Sequence, residues 1–270
     1  MKIILSRKGF DSTAGGIPSP ILPNGTLLSL PIPAKQDNLS YSDIAYDGVL
    51  YSDILAQLKP KDKKIGHWNC HLDPDIREDI RVERLTDWTA AFGQYRAPQS
   101  YLANQMVGKG DIFLFFGWFR QTEGDFKKGT LSYVKDAPDL QVLYGFLQVG
   151  DLVTDKQCLQ ENYSWHPHSL DHFTSNASNM LYLPTDRLSL NPELRGYGTF
   201  NYADKRVLTM PGHSRATWKE IPALLPENIN KHVKNSSKTK GLYYAGQWQE
   251  LVLKETKISE LWCQDVFKDD

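Results

Sequence analysis

The sequence predicts an α+β fold in which helices flank a mixed β-sheet. Ile112–Phe119 is apolar on both faces, which is typical of a central strand, and Gln141–Val149 is the next strong strand. Asp47–Leu58 spaces its apolar residues as a helix does. Pro98–Val107 predicts a second helix with proline in its first turn, and Ile258–Phe267 predicts a final helix.

The N-terminal segments predict a buried strand, a long loop and an edge strand. Lys2–Ser6 is the short apolar strand. Arg7–Gly25 is rich in Gly, Pro and small polar residues, and loops of this length usually carry function or are disordered. Because Pro31 and Pro33 cannot donate ladder hydrogen bonds, we expect Leu27–Ile32 at a sheet edge.

We expect the remaining segments to be mainly loops that connect the helices and strands. Gln121–Lys128 is a polar, hairpin-like excursion, and Asp151–Val153 extends the preceding strand. Tyr163–Asn179 contains three of the seven histidines and predicts a loop, as does Ser236–Lys240, which we expect to be flexible. No linker interrupts the chain, so we expect residues 1–270 to form a single domain.

Composition narrows the classes of function. The 270 residues include 31 Lys and Arg against 32 Asp and Glu, for a net charge of −1. This balance argues against a protein that coats duplex DNA without sequence specificity, because such proteins are usually basic. It permits a local basic patch or a nucleotide pocket. The three cysteines are far apart and form no CxxC pair, which disfavours a zinc knuckle. No segment has the ~20 apolar residues of a membrane span, so we expect a cytoplasmic protein.

The first candidate site follows the N-terminal strand. Arg7 and Lys8 can hold phosphate, Asp11 and Ser12 add a carboxylate and a hydroxyl, and paired glycines follow. The spacing is neither a Walker A loop nor a GxGxxG fingerprint. The alternative is a solvated turn with a local ion pair.

The second candidate is the string His71-Leu72-Asp73-Pro74-Asp75. In an extended segment His71, Asp73 and Asp75 point the same way, as acid–base groups or metal ligands would. We expect no metal, because a second ligand cluster is not evident. The alternative is turn and helix-capping chemistry.

The third candidate is Trp165-His166-Pro167-His168, where two histidines flank a proline. Imidazoles on one side of an extended chain suit proton transfer, base-edge hydrogen bonding or metal ligation. A histidine-rich surface loop is the alternative.

Two further groups combine an aromatic ring with a cation. Trp118 and Arg120, at the end of the predicted central strand, can stack a nucleobase and pair a phosphate, or be core and surface residues. Ser214 and Arg215 lie in a Pro-Gly turn that also contains Trp218, and this turn either binds phosphate or supports a strand.

These residues also carry a family resemblance over nearly the whole chain. The strings IILSRKGFDSTAGGIPSPILPNGTLLSLPIP, HLDPD, KGDIFLFFGWFR, GFLQVG and WHPH, in this order, resemble the nucleotide modification-associated domain of the third type. The resemblance implies a role beside DNA-base modification in phage and bacterial systems, with no settled reaction. The matching positions enter as site candidates: Arg7, Lys8, Asp11, Ser12, His71, Asp73, Asp75, Arg120, His166 and His168.

A second resemblance concerns the fold. The segment Gly108–Phe119, followed by the strand at Val142–Val149, is similar to the PUA, ASCH and EVE group of small β-barrels that bind RNA or flipped bases. It implies a sheet that is partly barrel-like.

Three functions follow as hypotheses. The leading one is an enzyme of a DNA-modification pathway that acts on a nucleotide, or on a single-stranded or flipped DNA base; its cofactor stays unspecified. The second is a non-catalytic reader of a modified base, motivated by Trp118, Trp165 and Trp218. The third is a metal-dependent phosphoesterase or nuclease built on His71, Asp73, Asp75 and His166.

The leading hypothesis makes a geometric prediction and two chemical ones. Lys8 and His166 should share one pocket, since a separation beyond ~15 Å exceeds a drug-sized site. Asp11 should stay ionised beside two cations and orient a partner or act as a base. His71, flanked by acidic residues, should act as the acid.

Overall fold

A computed structural model describes residues 1–62, 64–85, 87–231, 234–235, 237, 240–244, 246 and 248–268. In this part of the chain the strands are β1 (Ile3–Arg7), β2 (Ser19–Ile21), β3 (Ile32–Pro33), β4 (Ala45–Tyr46), β5 (Val49–Leu50), β6 (Cys70–His71), β7 (Phe92–Gln94), β8 (Ile112–Glu123), β9 (Ser132–Tyr133), β10 (Leu140–Val153), β11 (Met180–Pro184), β12 (Arg187–Leu188), β13 (Asn191–Arg195), β14 (Tyr197–Thr199), β15 (Lys234–Asn235), β16 (Leu242–Tyr243) and β17 (Glu250–Val252). The α-helices are α1 (Tyr51–Leu58), α2 (Arg96–Asn104), α3 (Lys156–Asn162), α4 (Asp171–Thr174) and α5 (Lys257–Val266).

One large mixed sheet organises the molecule. Its main path is β17-β1-β8-β10-β11-β7, and β2, β9 and β14 pair at its margins. Strands β1 and β8 are parallel, whereas β17 runs antiparallel to β1 and β10 runs antiparallel to β8. Irregularities in β10 bend the sheet into a half-barrel. The predicted α+β fold with a mixed, partly barrel-like sheet is confirmed.

Strand β8 is the central strand, as predicted, because both of its faces are buried. Ile112, Leu114 and Phe116 pack into the cluster on one face. Phe113 and Phe115 pack into the cluster on the other face, together with aromatic neighbours from β7 and β11. Full burial of such side chains stabilises by roughly 1.5–3 kcal/mol each, which makes β8 the rigid support of the site.

Two segments pair in parallel with the same edge of β8 and leave a loop between them. Strand β1 pairs with Ile112–Phe116, and β2 pairs with Phe119–Gln121. The chain crosses over Gly117, where any Cβ would press against the carbonyl oxygen of Lys8. The predicted N-terminal loop therefore leaves the sheet directly after Arg7, and β8 fixes its starting point.

The edge-strand prediction for Leu27–Ile32 is largely wrong. Only Ile32 and Pro33 form a strand, and they pair with Cys70 and His71 of β6. Leu28 and Leu30 are instead buried in a third apolar cluster that contains the inner face of α1, and Leu27 is buried in the cluster that contains Phe113 and Phe115. Because prolines cannot donate the hydrogen bonds of a sheet ladder, this segment buries its apolar side chains in these clusters instead of pairing as a strand.

The helix predictions are confirmed with shifted bounds. Helix α1 begins at Tyr51, because Asp47 and Gly48 adopt positive φ angles of 48° and 80° and form a turn before it. Helix α2 places Pro98 in its first turn, and α5 agrees with its predicted span within one residue.

Among the connections, the predicted loop Tyr163–Asn179 contains a 3₁₀ turn at Pro167–Ser169 and the single turn of α4. The predicted extension Asp151–Val153 is confirmed as the end of β10. In the segment Gln121–Lys128, β8 continues to Glu123 before a 3₁₀ turn. The predicted flexible loop Ser236–Lys240 lies mostly outside the described residues. No described helix has the length and apolarity needed to cross a membrane.

Candidate functional site

A cavity of about 640 Å³ opens where β1 ends. This volume lies in the range of roughly 300–1,000 Å³ that is typical of small-molecule sites. Five segments meet around it: the loop after β1, the residues after β3, the end of β6, the end of β7 and the loop that leads into α4. Their principal polar contributions are Arg7, Lys8, Asp11, Lys35, Asp37, His71, Asp73, Gln94, Arg96, His168 and His172.

Asp73 lies at the centre of the polar groups, with its side chain 2% exposed. Its Oδ1 accepts a hydrogen bond from the backbone N–H of Gly93 at 2.6 Å. Lys8 Nζ donates to Oδ2 at 3.0 Å, and His71 Nε2 lies 3.9 Å from the same oxygen. His166 Nε2 lies 3.4 Å from Oδ1, in a geometry too poor for a regular hydrogen bond.

The net electrostatic effect keeps Asp73 ionised. Burial alone would raise the pKa of this carboxyl, but the Lys8 ammonium and the neighbouring histidines together hold the pKa far below its usual range. Lys8 is itself enclosed, with its side chain 9% exposed and its Nζ 4.2 Å from the ring centroid of Phe92. Lys8 and Asp73 thus form a buried ion pair with additional hydrogen bonding. Removing either partner would leave the other charge buried without compensation and would lower the stability of the fold.

Two histidines are held by their Nδ1 atoms. His71 Nδ1 lies 2.6 Å from Asp37 Oδ2, and His168 Nδ1 lies 2.7 Å from Asn179 Oδ1. The Asn179 amide is oriented by its own donation to the His168 carbonyl at 3.0 Å. Because carboxylate and amide oxygens accept only, both Nδ1 atoms donate. In the neutral imidazoles the free lone pair is therefore on Nε2.

Burial lowers the pKa of His168 well below its usual value, although the Asp73 charge opposes the shift. His168 is therefore neutral at physiological pH. Its ring packs over Gly93, where an added Cβ would overlap it, so this glycine makes room for the ring and also donates to Asp73.

His166 shapes the turn that presents His168. Its Nδ1 accepts a hydrogen bond from the backbone N–H of His168 at 3.2 Å, which closes the start of the 3₁₀ turn at Pro167–Ser169. Because Nδ1 accepts, the neutral ring carries its proton on Nε2, the atom directed at Asp73. His166 is buried behind Asp73 and lines a smaller adjoining cavity rather than the main one.

The rim of the main cavity carries cations and an aromatic wall. Lys35 and Arg96 are exposed, and no carboxylate among the described residues lies within ion-pair distance of either. The Tyr95 ring packs edge-on against Phe173 at 4.7 Å between centroids, and Phe173 stacks on His168 at 4.4 Å. This rim suits a ligand with an anionic group and a planar ring.

Asp11 holds its loop together. Its Oδ1 accepts from the Thr13 hydroxyl and from the backbone N–H groups of Thr13 and Ala14, all at 2.7 Å. Arg7 Nη1 donates to its Oδ2, also at 2.7 Å. Burial raises the pKa of Asp11, but these hydrogen bonds and then the Arg7 charge outweigh burial, so the net shift is downward, in the direction that we predicted. We predicted that Asp11 orients a partner or acts as a base; its oxygens are engaged by Arg7 and by the loop, an arrangement that suits orientation better than proton abstraction.

Other predicted binding residues lie around a second cavity of about 540 Å³, on the far side of Arg7 and Asp11. It is lined by Ser12, Trp118 and Arg215, among others. The guanidinium of Arg215 covers one face of the Trp118 ring at 3.8 Å, so that face cannot stack a base. Burial lowers the pKa of Arg215 from its usual value, although the charges of Asp139 and Asp11 oppose the shift.

Five predicted residues lie away from both cavities. Asp75 does not point with His71 and Asp73: it is buried and forms a bidentate ion pair with Arg84, at 2.6 and 2.7 Å. The expectation that alternate residues share one side is wrong here, because Asp75 bridges to Ala91 in a separate backbone pairing. The others are Arg120, paired with Asp139; Trp165 and Trp218, packed in apolar clusters; and Ser214, exposed in its turn.

Sequence reasoning missed several residues of the site. Asp37 and Asn179 orient the histidines, and Gly93 supports Asp73 and His168, yet each is a single residue in a segment without a motif. Sequence reasoning proposed His166 and His168 as possible ligands, but it did not connect His168 with His71 and Asp73. The structure makes this connection, because the ligand-type atoms of His71, Asp73 and His168 all lie within 4.8 Å of one another.

Lys8 and His166 lie against the same carboxylate, well within the predicted ~15 Å, but His166 lines the adjoining cavity, and the histidine that shares the main cavity with Lys8 is His168. The family model described as nucleotide modification associated domain 3 matches residues 2–259. No curated protein and no solved structure matches the chain. The resemblance to the PUA, ASCH and EVE group therefore stays a prediction.

Proposed function

The chain belongs to the nucleotide modification associated domain 3 family, and on this premise we propose that it is an enzyme of DNA modification. Its active site is the 640 Å³ cavity, and its substrate is a nucleotide, free or presented as an unpaired base. The observation that carries the proposal is the convergence of Lys8, His71, Asp73 and His168 in one buried polar cluster.

A binding module has no need for such a cluster. Burying an ion pair and two imidazoles costs desolvation free energy, and reading a base requires only stacking and edge contacts. Perturbed titratable groups that share a cavity are typical of catalytic sites. The three tryptophans that motivated the reader hypothesis also give it little support, because Trp165 and Trp218 are buried in the core.

The rim fits the anionic part of a nucleotide. Lys35 and Arg96 are available for a phosphate, and Arg96 can hold one with its bidentate fork. The half-buried Tyr95 ring carries the Arg96 guanidinium over one face, 5.1 Å from the ring centroid, so the ring can offer a base only its opposite face. A phosphate at the rim would leave the base or sugar directed at Asp73.

Calorimetry with the four deoxynucleoside 5′-monophosphates tests the binding part of the proposal. We expect a dissociation constant of about 1 μM–1 mM, the usual range for enzyme substrates. The double variant Lys35→Ala/Arg96→Ala should weaken binding by at least ~10-fold, which is the loss expected for about 1.4 kcal/mol of charge-assisted contact. Lys109→Ala, at an exposed lysine paired with Asp151, is the matched control.

Mass spectrometry of nucleosides tests the catalytic part. DNA and nucleotide pools from bacteria that express the wild type should contain a nucleoside absent from cells that express His71→Gln, checked as folded by circular dichroism. Gln keeps a hydrogen-bonding group toward Asp37 and removes titration. Nucleotide binding without any chemical change would favour a reader, and release of inorganic phosphate alone would favour the phosphoesterase alternative.

A further inference from the structure

We propose that His71, Asp73 and His168 bind a divalent first-row transition metal ion whose remaining coordination positions face the cavity. The donor set is two imidazoles and one carboxylate, and their ligand-type atoms lie within 4.8 Å of one another. Two histidines and one carboxylate on one side of an ion leave further positions for water and substrate. The inference rests on the proposed active site and specifies its chemistry.

The outer contacts of the two histidines are those of metal ligands. A ligating histidine almost always donates its second ring N–H to a carboxylate or carbonyl, which fixes the tautomer and aims the ring. Here Asp37 performs this role for His71 and Asn179 performs it for His168, at 2.6 and 2.7 Å. In the neutral tautomer that these contacts select, each ring presents at Nε2 the lone pair that a metal requires.

The carboxylate is equally prepared. The Gly93 N–H holds Asp73 Oδ1, so Oδ2 remains as the oxygen that faces His71 Nε2, at 3.9 Å. Ions with bonds of about 2.0–2.2 Å need ligand atoms about 3.0–3.5 Å apart. The three side chains must therefore close by about 1 Å, which small torsional changes supply.

A second buried group points at the same carboxylate. His166 Nε2 lies 3.4 Å from Asp73 Oδ1 and makes no regular hydrogen bond among the described contacts. Its Nδ1 is an acceptor for the His168 N–H, so it presents a proton rather than a lone pair. His166 therefore lies behind the carboxylate and is not one of the ligands.

Lys8 is the competitor for the ion. Its ammonium lies 3.0 Å from Asp73 Oδ2, the oxygen that would ligate the metal. Metal binding must displace this contact or share the oxygen with it. Released from Asp73, the ammonium would face the cavity, where it can contact an anionic group of the substrate.

Cobalt(II) titration of the full chain, first stripped with a chelator, tests the proposal. We expect saturable binding of one ion per chain by calorimetry, with visible absorption bands of nitrogen-ligated Co²⁺. His168→Gln and His71→Gln should lower affinity by at least ~100-fold, and Asp37→Asn by ~10–100-fold, the range for outer contacts. His67→Gln, at an exposed histidine, should bind Co²⁺ as the wild type does.

Lys8→Met should change Co²⁺ affinity in the opposite direction to the ligand variants. Because it removes the competing ammonium, we expect it to bind Co²⁺ more tightly than the wild type does. Absence of saturable binding to the wild type overturns the proposal without reference to any variant. Binding that His71→Gln and His168→Gln leave unchanged, each checked as folded by circular dichroism, also overturns it. If Co²⁺ fails to bind but nucleotides do, the metal inference alone falls; if Co²⁺ binds and nucleotides do not, the proposed substrate class falls.

Discussion

At the scale of single residues, the charge and the orientation of the side chains in the site are set by neighbouring residues. Asp73 is ionised in the interior because Lys8 lies beside it, and its direction is set by one backbone N–H. Gly93 supplies that N–H and also the space for His168, which no residue with a Cβ could do without displacing the ring. The chemistry thus depends on a glycine that has no chemistry of its own.

Glu250 is a second buried carboxyl in this region, and it gives a pH-dependent prediction. Its Oε1 accepts from Ser6 Oγ at 2.9 Å and from Gln94 Nε2 at 2.7 Å, while Oε2 makes no hydrogen bond among the described contacts. Burial raises its pKa, against the attraction of Lys8. A carboxyl with a raised folded-state pKa favours folding below its unfolded-state pKa and loses that contribution as pH rises through the folded value.

Glu250→Gln removes this titration and keeps the acceptor oxygen. We expect urea unfolding to show that the variant gains stability relative to the wild type as pH rises from the unfolded-state pKa of about 4.3 to the raised folded-state pKa, by about 1.4 kcal/mol for each unit by which the pKa is raised. Glu193→Gln, at an exposed glutamate, should follow the wild type throughout. Parallel curves for Glu250→Gln and the wild type would show that Glu250 does not titrate abnormally.

The sequence located part of this site and not the rest, for a physical reason. Histidines and acids that cluster within a few residues, such as His71 with Asp73 and His166 with His168, are visible as motifs. Asp37 and Asn179 meet them only through tertiary packing, so nothing local marks them. Asp75 illustrates the opposite error, since a neighbour in sequence was assigned to the site although it pairs with Arg84 instead.

At the scale of elements, the long apolar strands and the amphipathic helices were predictable because burial alone specifies them. Strand β8 is apolar on both faces and α5 on one, and both patterns are readable without a partner. The two-residue strands β3 and β6 were not, because each exists only through pairing with the other across the chain. That pairing places His71 beside the loop that contains Asp37.

Helix α5 gives a prediction at this scale, because the residue that follows its C-terminal end packs into the apolar core. Phe267, directly after the helix, packs edge-on against Phe146 at 4.7 Å and Phe200 at 5.4 Å and is 7% exposed. Phe267→Ala should lower the free energy of unfolding by about 3–5 kcal/mol, as is usual for a buried aromatic. Leu261→Ala, on the outer face at 53% exposed, should change it by less than about 0.5 kcal/mol.

Denaturant unfolding of both variants checks the pair. A small loss for Phe267→Ala would mean that α5 docks loosely and does not complete the core. A large loss for Leu261→Ala would mean that the outer face of the helix is covered in solution.

At the scale of the whole molecule, the charge balance and the position of the cavity favour binding of one nucleotide in the cavity. They disfavour an extended contact along the backbone of duplex DNA. The net charge is −1, and many basic residues pair with nearby acids, as Arg7 does with Asp11 and Arg120 with Asp139. Non-specific affinity for DNA comes mainly from cations that neutralise phosphates and release counterions. Among the residues that the structure describes, no carboxylate lies within ion-pair distance of the cavity cations Lys35 and Arg96, and both lie at the entrance, where they can contact one phosphate.

We therefore predict that plain duplex DNA binds no tighter than about 1 μM at physiological salt, the tight end of non-specific binding. Fluorescence anisotropy with a labelled duplex of unmodified sequence measures this, and a salt series measures the number of phosphates engaged. Since log affinity falls with log salt by about 0.9 per neutralised phosphate, contact with one or two phosphates predicts a slope no steeper than about −2. An oligonucleotide with one unpaired base should bind more tightly than the duplex, because its base can enter the cavity without the cost of unstacking. Nanomolar affinity for the plain duplex, or a steep salt dependence, would mean that a basic surface away from the cavity dominates recognition.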